Sequence, residues 1–443
     1  PSFALVDRAG VAWSRSMPRS TCRTSLALAL LWIAAALAAP PRPLDAGTSP
    51  DPKLLERARS ILKAAPLIDT HNDLPYALFL KDAGDLTKDD LGKRQPELPA
   101  DLPRLREGRV GAQYWSVYVD SETQLTRSSL HEALRIFDLA LRTIESRPEL
   151  ELARTADDIE RIARAGRIAS LLGVEGGHMI ESSPAAVRIF HRLGARYLTL
   201  THWRNVEWAD AATDIPRQNG LSKQGELLVR ELNRTGIFVD IAHVSPDVMR
   251  DVLRVSRAPV ISSHSDAFAL VPHPRNIPDD VLQALGKNGG VVHVSFIREF
   301  VVDGREREAR KKEAERSIRQ RVATDAEVKM ELQAWEKANP APGGSVADVA
   351  NVIDHIRKVA GVDHVGIGAD FFDDGKLSMV PGLHDPSTYP VLFAQLLRRG
   401  WSEEDLLKLA GRNHLRAMRQ MERVAAEMQK STPPAIVEGP RLP

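Results

Sequence analysis

The chain has 443 residues, 43% hydrophobic and 27% charged, with 60 basic against 59 acidic side chains and a single cysteine. That is a globular balance with enough length for a large core, and it excludes a disordered chain, a collagen-like fibre and a polytopic membrane protein. The even charge gives no field that favours nucleic acid, and the lone Cys22 rules out an internal disulfide framework and a cysteine-based zinc site.

The first element is the apolar run LALALLWIAAALAA at 26–39, behind Arg19 and Arg23. It is shorter than the roughly 20 residues of a membrane-spanning helix. With small residues at Ala36 and Ala38 it reads as a secretory signal peptide, Met17 being the start and residues 1–16 an upstream extension. Removal of residues 1–38 is expected to leave an exported protein, periplasmic or extracellular, with no cysteine and no stable membrane anchor. Residues 39–52, rich in Pro and small side chains, read as a linker. A barrel domain is expected over 53–425 and a C-terminal tail over 426–443.

Eight apolar runs follow in chain order, at 66–73, 110–119, 168–177, 196–203, 236–244, 259–265, 289–296 and 364–371. Each is nearly continuous in apolar residues rather than alternating, as strands covered on both faces are. Helical spacing marks 128–146 (Leu130, Leu134, Phe137, Leu141, Ile144), 184–193 and 246–256. Strand and helix in repeated alternation predict an α/β fold, the (β/α)₈ barrel of TIM type. Residues 303–337 break the rhythm with the dense charge run REREARKKEAERSIRQR. They read as a charged helical insertion after the seventh strand. That position leads out of the end of the barrel where active sites sit, so the insertion is expected to cover the pocket rim.

Histidines and acids gather at the ends of these runs. His71 and Asp73 end the first, Glu175 the third, His202 the fourth, His243 the fifth, His264 the sixth and Asp370 the eighth. Residues i and i+2 of a strand share a face, so His71 and Asp73 are expected to reach one ion. In a barrel all these ends ring one pocket. Imidazole and carboxylate suit zinc, manganese, iron or cobalt. Five ligands exceed the three that a tetrahedral catalytic zinc takes from protein, whereas two ions sharing one carboxylate would use all five. Arg275 presents a planar fork that matches a carboxylate. His178 and His293 read as structural, and His273 as a rim residue.

The stretches IDTHNDLP, GAQYWSVYV, GVEGGH, RYLTLTHWRN with WAD, SHS, RNIPDDVL and GIGADF together resemble the membrane dipeptidase (renal dipeptidase) family of zinc peptidases, part of the amidohydrolase-like barrels. The resemblance runs from about residue 66 to 415. It implies a dipeptidase, dipeptides with a D-residue at the carboxyl end included, in which a hydroxide bridging two zinc ions attacks the peptide bond. Manganese or cobalt can take the same ligands. By the same resemblance His71 and Asp73 bind one ion, His243 and His264 the other, and Glu175 bridges them. His202 contacts the substrate, Arg275 holds its terminal carboxylate and Asp370 is the catalytic acid/base. A homodimer is a further family expectation. The sequence departs from the family after Asp370, where FFDDG replaces a shorter FDG. Two other readings fit the same barrel: hydrolysis of another amide, such as an N-acyl amino acid or a β-lactam, and a non-catalytic binding barrel.

Overall fold

The computed structural model describes residues 51–436 apart from 323, 374, 376 and 377. The signal segment, most of the 39–52 linker, Asp374 and the end of the tail lie outside the described residues. Among the described residues nine parallel strands form one sheet: β1 (Leu67–Asp69), β2 (Val110–Tyr118), β3 (Leu150–Leu152), β4 (Ile168–Glu175), β5 (Ala195–Thr199), β6 (Phe238–Asp240), β7 (Ile261–Ser262), β8 (Val291–Val294) and β9 (Val365–Ile367). The order β2-β1-β9-β8-β7-β6-β5-β4-β3 closes through a β2–β4 pairing that runs from Ala112↔Ala169 to Tyr118↔Glu175. Eight strands therefore make the expected barrel. β3 pairs only with β4, at the start of the edge that β5 takes over from Leu172. It escapes a pattern reading because three residues, LEL, carry no periodicity.

All eight residues of β4 are buried, as a strand between a packed interior and a helical jacket must be. The jacket includes Ser129–Glu145, Pro184–Leu193 and Pro246–Val255, within a residue of the expected spans. The last of these opens where the Ser245 side chain accepts the Val248 N–H, with Pro246 in the first turn.

The strands stop earlier than the apolar runs do. β1 ends at Asp69 and β6 at Asp240, both fully buried carboxylates that take over as acceptors for the turning backbone. Asp69 Oδ1 accepts from His71 N (3.2 Å) and Ala369 N (3.0 Å). Asp240 Oδ1 accepts from Ala242 N (3.1 Å) and Ser263 N (2.8 Å). His71 and Asp73 are thus not on one strand face, as the spacing suggests. Both lie on the turn after β1, and Asp73 immediately precedes the helix Leu74–Asp82.

The barrel interior holds a buried polar chain with a fixed direction. The Ser262 carbonyl can only accept, so His293 Nδ1–H donates to it (2.9 Å). His293 Nε2 must then accept from His414 Nδ1–H (3.1 Å), and His414 Nε2 accepts from the Tyr114 hydroxyl (2.9 Å). This direction is the one that holds with both rings neutral. Burial pushes His293 down to about 4 and holds His414 well below the usual range, with His293 adding to the second effect. A histidine depressed in the folded state stabilises the fold fully above the unfolded value of about 6.5, and that stability is lost as pH falls toward the folded value. For His293 the loss reaches about 2 kcal/mol by pH 5. The melting-temperature gap between the wild type and His293→Gln should therefore narrow between pH 7.5 and 5. A gap that stays constant would contradict this protonation pattern.

The charged insertion forms two helices, Arg305–Arg319 and Asp325–Ala338. They pack on each other through a Lys311–Glu336 ion pair (2.5 Å) and the Arg307 guanidinium over the Trp335 ring (5.6 Å). Ile318 and Val328 are their buried residues. The chain is pinned before it leaves the barrel, by Arg298 N to Ser378 O (2.8 Å) and Val380 N to Phe296 O (3.0 Å). The last helix, Asn413–Ser431, buries Met428, so the boundary drawn at 425 falls inside an element. No helix among the described residues is long and apolar enough to cross a membrane.

Candidate active site

At the carboxyl-terminal mouth of the barrel, all seven predicted acids and imidazoles come together. Glu175, the last residue of β4, stands at their centre. Its Oε2 faces His71 Nε2 (3.4 Å), which also lies 3.4 Å from Asp73 Oδ2. Its Oε1 faces His243 Nε2 (3.1 Å) and His264 Nε2 (3.3 Å). The two imidazole nitrogens of that second pair are 3.0 Å apart. Two ligand atoms on one tetrahedral ion with bonds of about 2.1 Å are separated by about 3.4 Å, so these spacings suit a shared cation. Two such groups, His71/Asp73/Glu175 and Glu175/His243/His264, share the one carboxylate. His71, His264 and Asp370 form a third. His71 Nε2 and Asp73 Oδ1 are buried without a hydrogen-bond partner, as donors to an ion would be.

The electrostatics agree with that chemistry at Glu175, His243 and His264, whereas His71 is raised well above its usual value, burial being outweighed by Tyr197 and the neighbouring carboxylates. Burial works to raise Glu175, but His71, His202 and the hydrogen bonds of His243 and His264 outweigh it and hold the carboxyl well below its usual range. Burial keeps His243 and His264 far below theirs, and His202 down at about 4, so these rings present neutral lone pairs at pH 7.

The profile of the membrane dipeptidase family (Peptidase family M19) matches residues 55–432. The chain belongs to the membrane dipeptidase family. It is 37% identical over 395 residues to dipeptidase 3 of Rattus norvegicus, covering 87% of this chain and 71% of that one. With dipeptidase tcpJ of Claviceps purpurea it shares 40% over 379 residues, 82% and 79% of the two chains. Among solved structures, the probable dipeptidase PvdM of Pseudomonas aeruginosa superposes with a TM-score of 0.74 at 22% identity, over 84% of this chain and 99% of that one. A metallopeptidase of Rhodobacter sphaeroides, solved with a phosphinate mimic of L-Ala-D-Ala, gives a TM-score of 0.65 at 24% identity, over 81% and 99%. This family member is accordingly a metallopeptidase of dipeptidase type.

The remaining predicted site residues of this dipeptidase fall around the same cluster. His202 Nε2 is 3.6 Å from Glu175 Oε1, and Asp370 Oδ1 is 3.8 Å from His71 Nε2. Asp370 (φ 68°) and His243 (φ 64°) both hold left-handed backbone, a strained state for non-glycine residues that concentrates at functional sites. Burial lifts the Asp370 carboxyl well above its usual range; His71 opposes this, and Asp73 and Glu175 add to it. Arg275 is 1% exposed, its Nε and Nη1 have no partner, and among the described residues no carboxylate pairs with it within 4.0 Å. Its guanidinium lies over the Phe300 ring (5.0 Å). A desolvated, unpaired guanidinium is costly, and an anionic ligand group relieves that cost.

A cavity of about 480 Å³ gives access to the cluster, lined among others by Tyr76, Leu80, Trp203, His273, Arg275 and Phe372. From the loop after β8 it takes Ile297, Glu299 and Phe300, and no described residue of 303–337. The insertion is therefore not the expected cover, because the pinned segment before it supplies the rim. A cavity of about 620 Å³ lies around 62–66, 106–111 and 163–168 and contains none of the predicted site residues.

Sequence reading missed the residues that aim the imidazoles. Ser263 Oγ donates to Asp240 Oδ2 and so accepts from His264 Nδ1–H (2.8 Å), leaving His264 Nε2 free toward Glu175. His71 Nδ1 meets the Tyr197 hydroxyl at 2.8 Å. That ring crosses β4 at Gly173, where an added Cβ would lie 1.9 Å from it. The signal for Asp69 and Asp240 was an acid inside an apolar run shortly before a histidine, as in DTH and DIAH. His178 bonds the Val119 carbonyl (3.0 Å) and His293 sits in the core, both as expected.

Proposed function

We propose that this chain hydrolyses dipeptides with a pair of divalent cations, zinc foremost, held by His71 and Asp73 on one side and His243 and His264 on the other, with Glu175 between. The observation that carries the reading is the division of Glu175, one oxygen toward each pair. Bound there, such ions supply Lewis acidity toward an amide carbonyl and lower the pKa of water to near 7.

The protein's own groups then have separate tasks. Arg275 takes the substrate's terminal carboxylate bidentately and so fixes the distance from that end to the cluster, which selects short peptides. His202, neutral and buried, donates a ring N–H to the oxyanion that develops on the scissile carbonyl. The Asp370 carboxylate takes a proton from the attacking water and delivers it to the leaving amine. Dipeptides ending in a D-residue are included, and the L-Ala-D-Ala mimic bound by the Rhodobacter neighbour supports this. The apolar run at 26–39 supports export.

The test is hydrolysis of Gly-Gly, L-Ala-L-Ala and L-Ala-D-Ala by the full chain before and after chelation. Activity should vanish on chelation and return with added zinc, together with two ions per chain by mass spectrometry. Hydrolysis that survives complete metal removal would sink the reading.

A further inference from the structure

Around the closed barrel the strands run β1, β2, β4, β5, β6, β7, β8, β9. Arg275 belongs to the loop after β7, and the strand four places away in either direction is β2. The pocket wall on that far side is Tyr118, at the end of β2, with Tyr76 and Leu80 on the helix that follows β1. Trp203 after β5 and Phe372 after β9 stand four strands apart on the other diameter. A substrate whose carboxylate rests on Arg275 and whose amide lies over Glu175 must send its N-terminal residue toward β2.

We propose that Tyr76, Leu80 and Tyr118 form the subsite for the side chain of the substrate's N-terminal residue, and that this wall selects bulky apolar side chains. The inference rests on the dipeptidase reading and adds the substrate class. Tyr76 packs edge-on against Tyr118 (4.7 Å between centroids) and stacks with Phe79 (6.3 Å), so the wall is braced. Leu80 is 66% exposed, Trp203 47% and Phe372 46%, an unusual amount of apolar surface left in water beside a pocket. A large side chain in the subsite covers that surface, and a glycine leaves it wet. Among the described lining residues Arg275 is the sole lysine or arginine, against the carboxylates of Asp73, Glu175, Glu299 and Asp370. An acidic N-terminal side chain therefore finds no counter-charge on this wall.

The experiment compares kcat/KM for two dipeptide series with the zinc-loaded full chain: X-Gly, with X being Gly, Ala, Leu, Phe or Asp, and Gly-X. Leu-Gly and Phe-Gly should exceed Gly-Gly by about 10-fold or more, the effect of burying one large apolar side chain, and Asp-Gly should fall below Gly-Gly. Leu80→Asp should flatten the X-Gly series several-fold and leave the ranking of the Gly-X series as it is, with metal content unchanged, whereas Leu80→Met should keep both rankings. A flat wild-type X-Gly series, or a Leu80→Asp variant that alters Gly-X and spares X-Gly, overturns the inference while the dipeptidase reading stands. No hydrolysis of any dipeptide by the loaded enzyme overturns both.

Discussion

Replacing Glu175 by glutamine should lower kcat/KM for any dipeptide by about 10³-fold or more, a loss of several kcal/mol of transition-state stabilisation. The side chain keeps its size, but one oxygen becomes an NH₂ group. In the native protein Oε2 lies 3.4 Å from His71 Nε2, and Oε1 lies 3.1 Å from His243 Nε2. Whichever way the amide settles, one of the two ligand pairs then meets N–H donors where it met a lone pair, and that donor cannot bind a cation. The charge is lost as well. His71 is raised well above its usual value although burial opposes it, with Tyr197 and then Glu175 as the sources of the rise. A neutral glutamine also removes one of the two carboxylate charges, Asp73 and Glu175, that the ligand set holds against two dications. Metal analysis of Glu175→Gln should therefore show fewer than two ions per chain after gel filtration. Glu175→Asp, shorter by one methylene, should lie between the two in both readouts. A glutamine variant that keeps both ions and retains kcat/KM within tenfold would rule out the bridging role.

The same residue shows what was legible in the sequence. Glu175 ends IASLLGVE, a run so continuously apolar that only a strand buried on both faces accounts for it, and an acid closing such a run at a barrel mouth stands out. His71, His243 and His264 were legible for the same reason, although they lie past the strands proper, on turns gathered in by Asp69 and Asp240. Pattern could not reveal that difference, because an aspartate at a strand end and one in a turn carry the same letter. Nor could it show how Tyr197 crosses Gly173 to meet His71, since that contact joins residues 126 positions apart. The insertion at 303–337 reads correctly as charged helix, but charge patterning sets which face is wet and not the direction in which the pair departs. Two backbone hydrogen bonds to the 378–380 segment hold the chain just ahead of the insertion. Arg275 was legible as a carboxylate binder; its complete burial without a counter-ion was not, and that burial is what separates it from a surface arginine.

Asp370→Asn should reduce kcat by about 10² to 10⁴-fold, the range associated with removing a general acid/base, while KM and metal content stay close to wild type. Asparagine suits the position, because with aspartate it is among the residues that best tolerate left-handed backbone, so φ 68° need not change. Alanine would lose that tolerance and mix a folding defect with the chemical one. The metal measurement decides between two roles that the geometry leaves adjacent. Asp370 Oδ1 lies 3.8 Å from His71 Nε2 and groups with His71 and His264, so it can serve either as a proton carrier or as a ligand. A proton carrier turned to asparagine leaves both ions in place, whereas a lost ligand does not. The pH profile gives an independent readout. With no ion bound, burial raises this carboxyl above its usual range; the base form is lost as pH falls through its value, so kcat should show a limb on the acid side. Bound cations oppose the shift and bring the limb back toward the ordinary range, so it should lie at higher pH for the enzyme with fewer ions. The asparagine variant has no carboxyl to titrate there and should lose that limb; a variant that retains both the limb and kcat within tenfold would place the acid/base elsewhere.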